Sequence, residues 1–115
     1  MHEFSLAQGL FTQLFRLAEQ HRAEKIIIVR VEIGQFAGIV IDSFSFAFEI
    51  LARERKLTRE AVLEITEIKP LCGCLDCGHT VPADDSVPAV CAQCGSSRLT
   101  LSAADDLILT QVEME

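Results

Sequence analysis

Through the first twenty or so positions the apolar residues recur at helical spacing. Leu6, Ala7, Leu10, Phe11, Leu14, Phe15, Leu17 and Ala18 fall on one side, and Gln13, Arg16, Glu19 and Gln20 on the other. With Ser5 as N-cap, the pattern predicts an amphipathic helix from about Ser5 to about His21. The period then shortens to two. Lys25–Ile33 is a β-branched run with Ile27, Val29, Val31 and Ile33 on one face. The opposite face carries Ile26 and Ile28, then Arg30 and Glu32, so this strand is expected to be covered on both sides at its start and wetter towards its end. Gly34 and Gly38 break it. Asp42 is expected to cap a second helix, Ser43 to about Glu54, with Phe44, Ala47, Phe48, Ile50 and Leu51 turned inward. Arg53, Arg55 and Lys56 suit the negative end of that helix dipole. A second strand, Ala61–Ile68, stops at Pro70. A third, Leu107–Met114, is read with Ile108, Thr110, Val112 and Met114 sharing a face.

Between Pro70 and Ala103 the aliphatic runs give way to cysteine, glycine, proline and short polar residues. This stretch reads as an insertion between the second and third strands. The predicted fold is α/β (α+β): a small three-stranded sheet with two helices, plus an inserted Cys₄ zinc-ribbon or zinc-knuckle lobe. The division places residues 1–69 and 104–115 in one domain and 70–103 in the other. With few apolar residues to bury, the inserted lobe depends on its metal, which can supply roughly 10–16 kcal/mol of apparent binding free energy in place of a core.

The cysteines carry the clearest chemistry. Cys74 with Cys77, and Cys91 with Cys94, form two C-x-x-C pairs, each followed by a glycine, Gly78 and Gly95. Two intervening residues let one tight turn present both sulfurs to one ion, and a glycine there takes positive φ so that N–H groups point at the sulfurs. Two such turns complete a tetrahedral Zn(II) site, with iron in the same S₄ cage as the competitor. Thirteen residues separate Cys77 from Cys91, slightly fewer than the roughly 15–20 common in such patterns. A four-ligand site has no open position, so the metal is structural and catalyses nothing. Cys72 is left over, as a small buried hydrophobe or a spare ligand exchanging with Cys74. His79, two residues after Cys77, is an alternative zinc ligand or a donor to the cysteines. His21 reads as a solvated histidine at a helix C-terminus.

Charge narrows the partners. The formal charge is −7, and four thiolates around Zn²⁺ make it more negative still. Arg98 is the single cation from Pro70 to Leu101 and no aromatic residue lies there to stack on bases, so no nucleic-acid partner is expected. No apolar run approaches the length of a membrane span. The opening Met1-His2-Glu3-Phe4-Ser5 has no signal-peptide character, which points to the cytoplasm and reduced thiols rather than disulfides.

Those opening residues are the second place where chemistry can reside. A large residue at position two protects the initiator methionine. The Met1 α-amine, the deprotonated His2 amide and the His2 Nδ1 then close fused chelate rings in one plane, a geometry that suits Ni(II) or Cu(II). The vacant fourth position is open to Glu3, water or a partner's ligand, so the ion is transferable. A single His and Glu at a chain terminus ordinarily bind nothing, and the residues alone do not decide between these readings.

Met1-His2-Glu3, the helix opening Ser5-Leu6-Ala7, the strand ending Ile33-Gly34, Phe46-Ala-Phe-Glu-Ile-Leu51, Ala61-Val-Leu-Glu-Ile65 and the late cysteine pairs occur in one order over the whole chain. That combination resembles the HypA/HybF family of hydrogenase-maturation nickel metallochaperones. The resemblance implies a non-enzymatic carrier that delivers Ni(II) to the [NiFe]-hydrogenase large subunit, working with a HypB-type GTPase as monomer or homodimer. It also implies nickel ligands at Met1, His2 and Glu3 and zinc ligands at Cys74, Cys77, Cys91 and Cys94. Two positions depart from the family pattern: Gly95-Ser-Ser-Arg98 lacks a histidine, and Ala103-Ala-Asp-Asp106 lacks a glycine. The rival readings are a zinc-ribbon adaptor for protein or RNA and a thiol-disulfide enzyme using Cys72, Cys74 and Cys77.

Overall fold

A computed structural model describes residues 2–83, 88–102 and 104–115. In chain order the elements are α1 (His2–Gln20), β1 (Ile26–Gly34), α2 (Ile41–Ala52), β2 (Val62–Ile68), β3 (Leu71–Cys74), β4 (Thr80–Pro82), β5 (Leu99–Leu101) and β6 (Leu107–Met114). Two three-stranded sheets result, ordered β2-β1-β6 and β4-β3-β5. In the first, β1 is central, parallel to β2 and antiparallel to β6. The helical crossover that parallel strands need is supplied by α2.

Both helices cover one face of that sheet. Ala7, Leu10, Phe11, Leu14 and Ala18 of α1 are buried against Phe44, Ala47, Phe48 and Ala52 of α2 and against Ile26, Val29, Val31 and Ile33 of β1. The Phe11 and Phe48 rings meet at 5.0 Å in a tilted pair that ties the helices together. The other face is open. There Arg30 holds Glu64 (2.9 Å), Gln111 (3.0 Å) and Glu113 (2.6 Å), stitching all three strands across their wet side.

Several boundaries differ from the sequence expectation, each for a local reason. Helix α1 begins at His2, so Ser5 lies inside it rather than capping it; Phe4 and Leu6 pack on the core and carry the helix a further turn outward. Helix α2 begins at Ile41 with Val40 as N-cap and no side-chain cap. Ile41 packs on the core, and Asp42 instead sits in the first turn, where a carboxylate suits the positive end of the dipole. Within α2 the buried stripe closes on Ala52, leaving Ile50 exposed. The helix stops there because the buried Thr58 hydroxyl donates to the Ala52 carbonyl at 2.9 Å.

Two bulges shift the strand faces. Opposite Met114 and Glu113, β1 inserts one extra residue between Ile26 and Ile28, so Ile26 joins Val29 in the core and Ile27 is only half-buried. On β6 the register slips between Leu109 and Gln111, with Thr110 turned aside to donate to the Arg30 carbonyl at 3.1 Å. Leu107 and Leu109 therefore share the covered face with Val112 and Met114, and Ile108 is exposed.

The second sheet leaves the first at Lys69–Pro70 and returns through Ala104. Where the chain returns, Gly34 donates to Asp106 at 2.9 Å and Phe36 to Ala104 at 2.7 Å. A Cβ on Gly34 would lie 2.1 Å from the Ala104 carbonyl oxygen, so only glycine permits this crossing.

Candidate metal centres

Strand β3 carries Cys72 and Cys74 to one buried face, with Gly73 pointing the other way. After it the two C-x-x-C turns are built alike. Gly78 donates to the Cys74 carbonyl at 3.0 Å and Gly95 to the Cys91 carbonyl at 2.8 Å. Both glycines have the expected positive φ, 78° and 77°. Each first cysteine also donates its N–H five residues onward, Cys74 to His79 (2.9 Å) and Cys91 to Ser96 (2.8 Å). One backbone solution, used twice, aims four sulfurs at one point.

The sulfurs of Cys74, Cys77, Cys91 and Cys94 all lie within 4.8 Å of one another. Cys74 and Cys94 approach to 3.5 Å, and Cys77 and Cys91 to 3.6 Å. Zinc–sulfur bonds of about 2.3 Å give a tetrahedron with edges of roughly 3.8 Å, so the cage fits an S₄-coordinated ion. Its electrostatics also call for a cation. The Cys77 and Asp76 N–H groups hold the Cys74 thiol down to about 6, and the Cys94 and Gln93 N–H groups lower Cys91. For Cys94 the Ser96 N–H pulls down, but the Cys74 thiol, burial and the other two sulfurs together push it up to about 12. Cys77 is raised likewise, against the pull of the His79 N–H. The first cysteine of each pair is thus biased toward the thiolate and the second away from it, so that binding an ion displaces protons from the cage.

The two spare donors stand apart. Cys72, 3 % exposed, and the half-buried His79 line a cavity of about 30 Å³ beside Cys74 and Cys91. Among the described residues the clustered ligand atoms are the four sulfurs, without Cys72 or His79.

At the other end of the molecule Met1 lies outside the described residues. His2 opens α1, so its amide N–H, like the others of the first turn, has no intrahelical carbonyl to bond. The His2 Nδ1 lies 3.4 Å from a Glu3 carboxylate oxygen, and the imidazole is well exposed. That same oxygen accepts a long bond of 3.5 Å from Val40 N–H, the cap of α2. Partial burial opposes the charge on Glu3, but the Val40 N–H, its own N–H and the His2 ring outweigh it and lower its pKa. His2 edges a groove of about 680 Å³ running between Leu6 and Leu10 of α1 and Leu107 and Leu109 of β6. Glu3 edges another of about 550 Å³ with Phe4, Phe46 and Ile50.

Sequence reasoning missed Val40, because its role is a backbone N–H and any residue type supplies one. It also missed the pairing of Asp76 with Ser96 and Arg98 across the two cysteine turns. The signal for that pairing was Arg98's position as the lone cation of its stretch.

Residues 1–114 match the family described as HypA, hydrogenase/urease nickel incorporation, metallochaperone. Among curated proteins, the hydrogenase maturation factor HypA of Azotobacter chroococcum is 36% identical over 115 residues, all of both chains. That of Rhodobacter capsulatus is 31% identical over 114 residues, 99% of each. Among solved structures, the solution structure of the Ni metallochaperone HypA from Helicobacter pylori superposes with a TM-score of 0.67 at 28% identity, covering 97% of this chain and 96% of the other. A further solution structure of HypA protein gives 0.73 at 29% identity, covering 100% and 97%.

Proposed function

Because this chain belongs to the HypA family of nickel-incorporation metallochaperones, we propose that it carries Ni(II) on its first residues and hands it to the [NiFe]-hydrogenase large subunit. A HypB-type GTPase is its working partner and the cytoplasm its compartment. Nickel is cargo, held by the Met1 α-amine, the His2 amide and Nδ1, and Glu3. Zn(II) is resident, held by Cys74, Cys77, Cys91 and Cys94. Residues 1–69 and 104–115 form the nickel domain and 70–103 the zinc domain.

The observation that carries the nickel reading is the start of α1 at His2. A helix that opens on His2 leaves the His2 amide without an intrahelical partner, and that amide must lose its proton to join a planar nitrogen set. The neighbouring Glu3 oxygen at 3.4 Å from Nδ1 supplies negative charge beside the ion. Its bond to Val40 is long and readily given up. An incomplete, exposed set of ligands lets a recipient finish the coordination and take the ion, whereas the closed sulfur cage keeps its own. Holding, exposing and releasing are the whole of the task, and no bond is made or broken in a substrate.

Tag-free protein should bind one Ni(II) per chain by calorimetry, with binding lost on His2→Ala or on adding residues before Met1. Unchanged affinity in both variants rejects the assignment. Zinc content should stay the same in all three proteins.

A further inference from the structure

The pairing of β3 with β5 ends at Cys74 opposite Leu99. Beyond that register the chains continue to hold each other at the mouth of the sulfur cage. Leu75 donates to the Arg98 carbonyl at 2.9 Å. Asp76, lying between the two cysteines of the first turn, then uses both carboxylate oxygens on the segment that follows the second turn. Arg98 Nη1 donates to one at 2.6 Å, and the Ser96 hydroxyl donates to the other. Ser96 Oγ in turn accepts the Arg98 N–H at 3.0 Å, fixing the backbone that presents the guanidinium. The lone cation between Pro70 and Leu101 is spent here.

On this geometry, and resting on the reading that the four sulfurs hold zinc, we infer that Asp76, Ser96 and Arg98 form a latch across the two cysteine turns that sets how fast the metal leaves. For zinc to depart, the turn of Cys74–Cys77 must swing away from that of Cys91–Cys94. The latch is the set of bonds that such a swing breaks. It also has an electrostatic side. Four thiolates on Zn²⁺ carry a net charge of −2, and Asp76 adds another negative charge beside exposed Cys77. Arg98 offsets that charge. Asp76 without Arg98 is therefore worse for the loaded site than neither residue, an asymmetry that simple loss of packing does not produce.

The experiment is transfer of zinc from purified full-length protein to a chromogenic chelator in excess, with metal content measured before mixing. Asp76→Asn should speed transfer about threefold and Arg98→Ala about tenfold, as expected for losing a charge-assisted hydrogen bond. The double variant Asp76→Asn/Arg98→Ala should be slower than Arg98→Ala alone, and Arg98→Lys should stay within about twofold of the wild type. All variants within twofold of the wild type, or a double variant faster than Arg98→Ala, overturns the latch. Wild-type protein that carries no zinc overturns the zinc assignment instead, and the initial metal content tells the two failures apart.

Discussion

The two sheets of this molecule are organised by different chemistry. Around β2-β1-β6, thirteen buried apolar residues from both helices and the central strand form one continuous core. Around β4-β3-β5 the strands are three or four residues long, and the buried side chains include Cys72, Cys74, Ala83 and Cys91. Burial of Leu, Ile, Val and Phe contributes about 1.5–3 kcal/mol per side chain, and a short sheet with few such residues has little of it. The first sheet thus has an apolar core of its own, and on the zinc reading proposed above the second takes its stability from an ion. The two proposed metal sites differ in the same way: a half-buried cage of four sulfurs inside the small sheet's lobe, and an exposed imidazole at the start of α1.

The largest expected effect breaks that comparison directly. Removing zinc with a chelator should unfold the β4-β3-β5 sheet while α1, α2 and the first sheet persist. Amide exchange would show Cys72 and Thr100 losing protection while Val29 and Val31 keep it; loss at Val29 as well would mean that the two sheets form one cooperative unit. Zinc uptake should release protons and weaken with acidity. Below about 6, where Cys74 also becomes a thiol, one more proton must be displaced and the dependence should steepen.

Next in size is Phe48→Ala. Phe48 is 1 % exposed and meets Phe11 across the helix pair, so its loss should cost about 3–5 kcal/mol by urea denaturation of the first sheet. The zinc-transfer rate of the variant should be unchanged. A changed rate would mean that the aliphatic core supports the sulfur cage.

Gly34→Ala tests the place where the two sheets meet. The added methyl would collide with the Ala104 carbonyl at 2.1 Å, and backbone cannot yield as a flexible side chain does. A loss of about 3 kcal/mol is expected, with the bonds from Gly34 to Asp106 and from Phe36 to Ala104 disrupted together. Wild-type stability in this variant would show that the crossing is loose.

Much of this was legible in the sequence because the signals were strong and local. Alternation of β-branched residues marked β1, spacing at three and four marked both helices, and paired cysteines with trailing glycines marked the S₄ cage down to the sign of φ. What the pattern could not carry were events decided by a neighbour. The bulge at Thr110 depends on the Arg30 carbonyl across the sheet, so the alternation in β6 put Ile108 on the face of Val112 and Met114, where Leu107 and Leu109 in fact lie. Ser5 and Asp42 have the side chains of caps, but Phe4 and Ile41 find core contacts that lengthen their helices past them. The small sheet was missed as a sheet because Thr80–Pro82 and Leu99–Leu101 are too short to show any period. At the N-terminus the residue types suggested a chelate, and only the placement of His2 in the first turn of a helix gives the amide a reason to be free.

The smallest effect belongs to the end of α1 and would sharpen the contrast by improving the better-built region. Arg22 sits at φ 52°, and Ala23 donates to Ala18 at 2.8 Å while Arg22 donates to Glu19 at 3.2 Å. This is a left-handed helix terminus of the kind glycine usually occupies, here held by a side chain that crowds its own backbone. Arg22→Gly removes that crowding but gives the unfolded chain more freedom, and the first term is the larger by roughly 0.5–1 kcal/mol. The midpoint of urea denaturation of the first sheet should therefore rise slightly, with zinc transfer and Ni(II) binding unaltered. A fall in the midpoint would mean that Arg22 makes a contact worth more than the strain it bears.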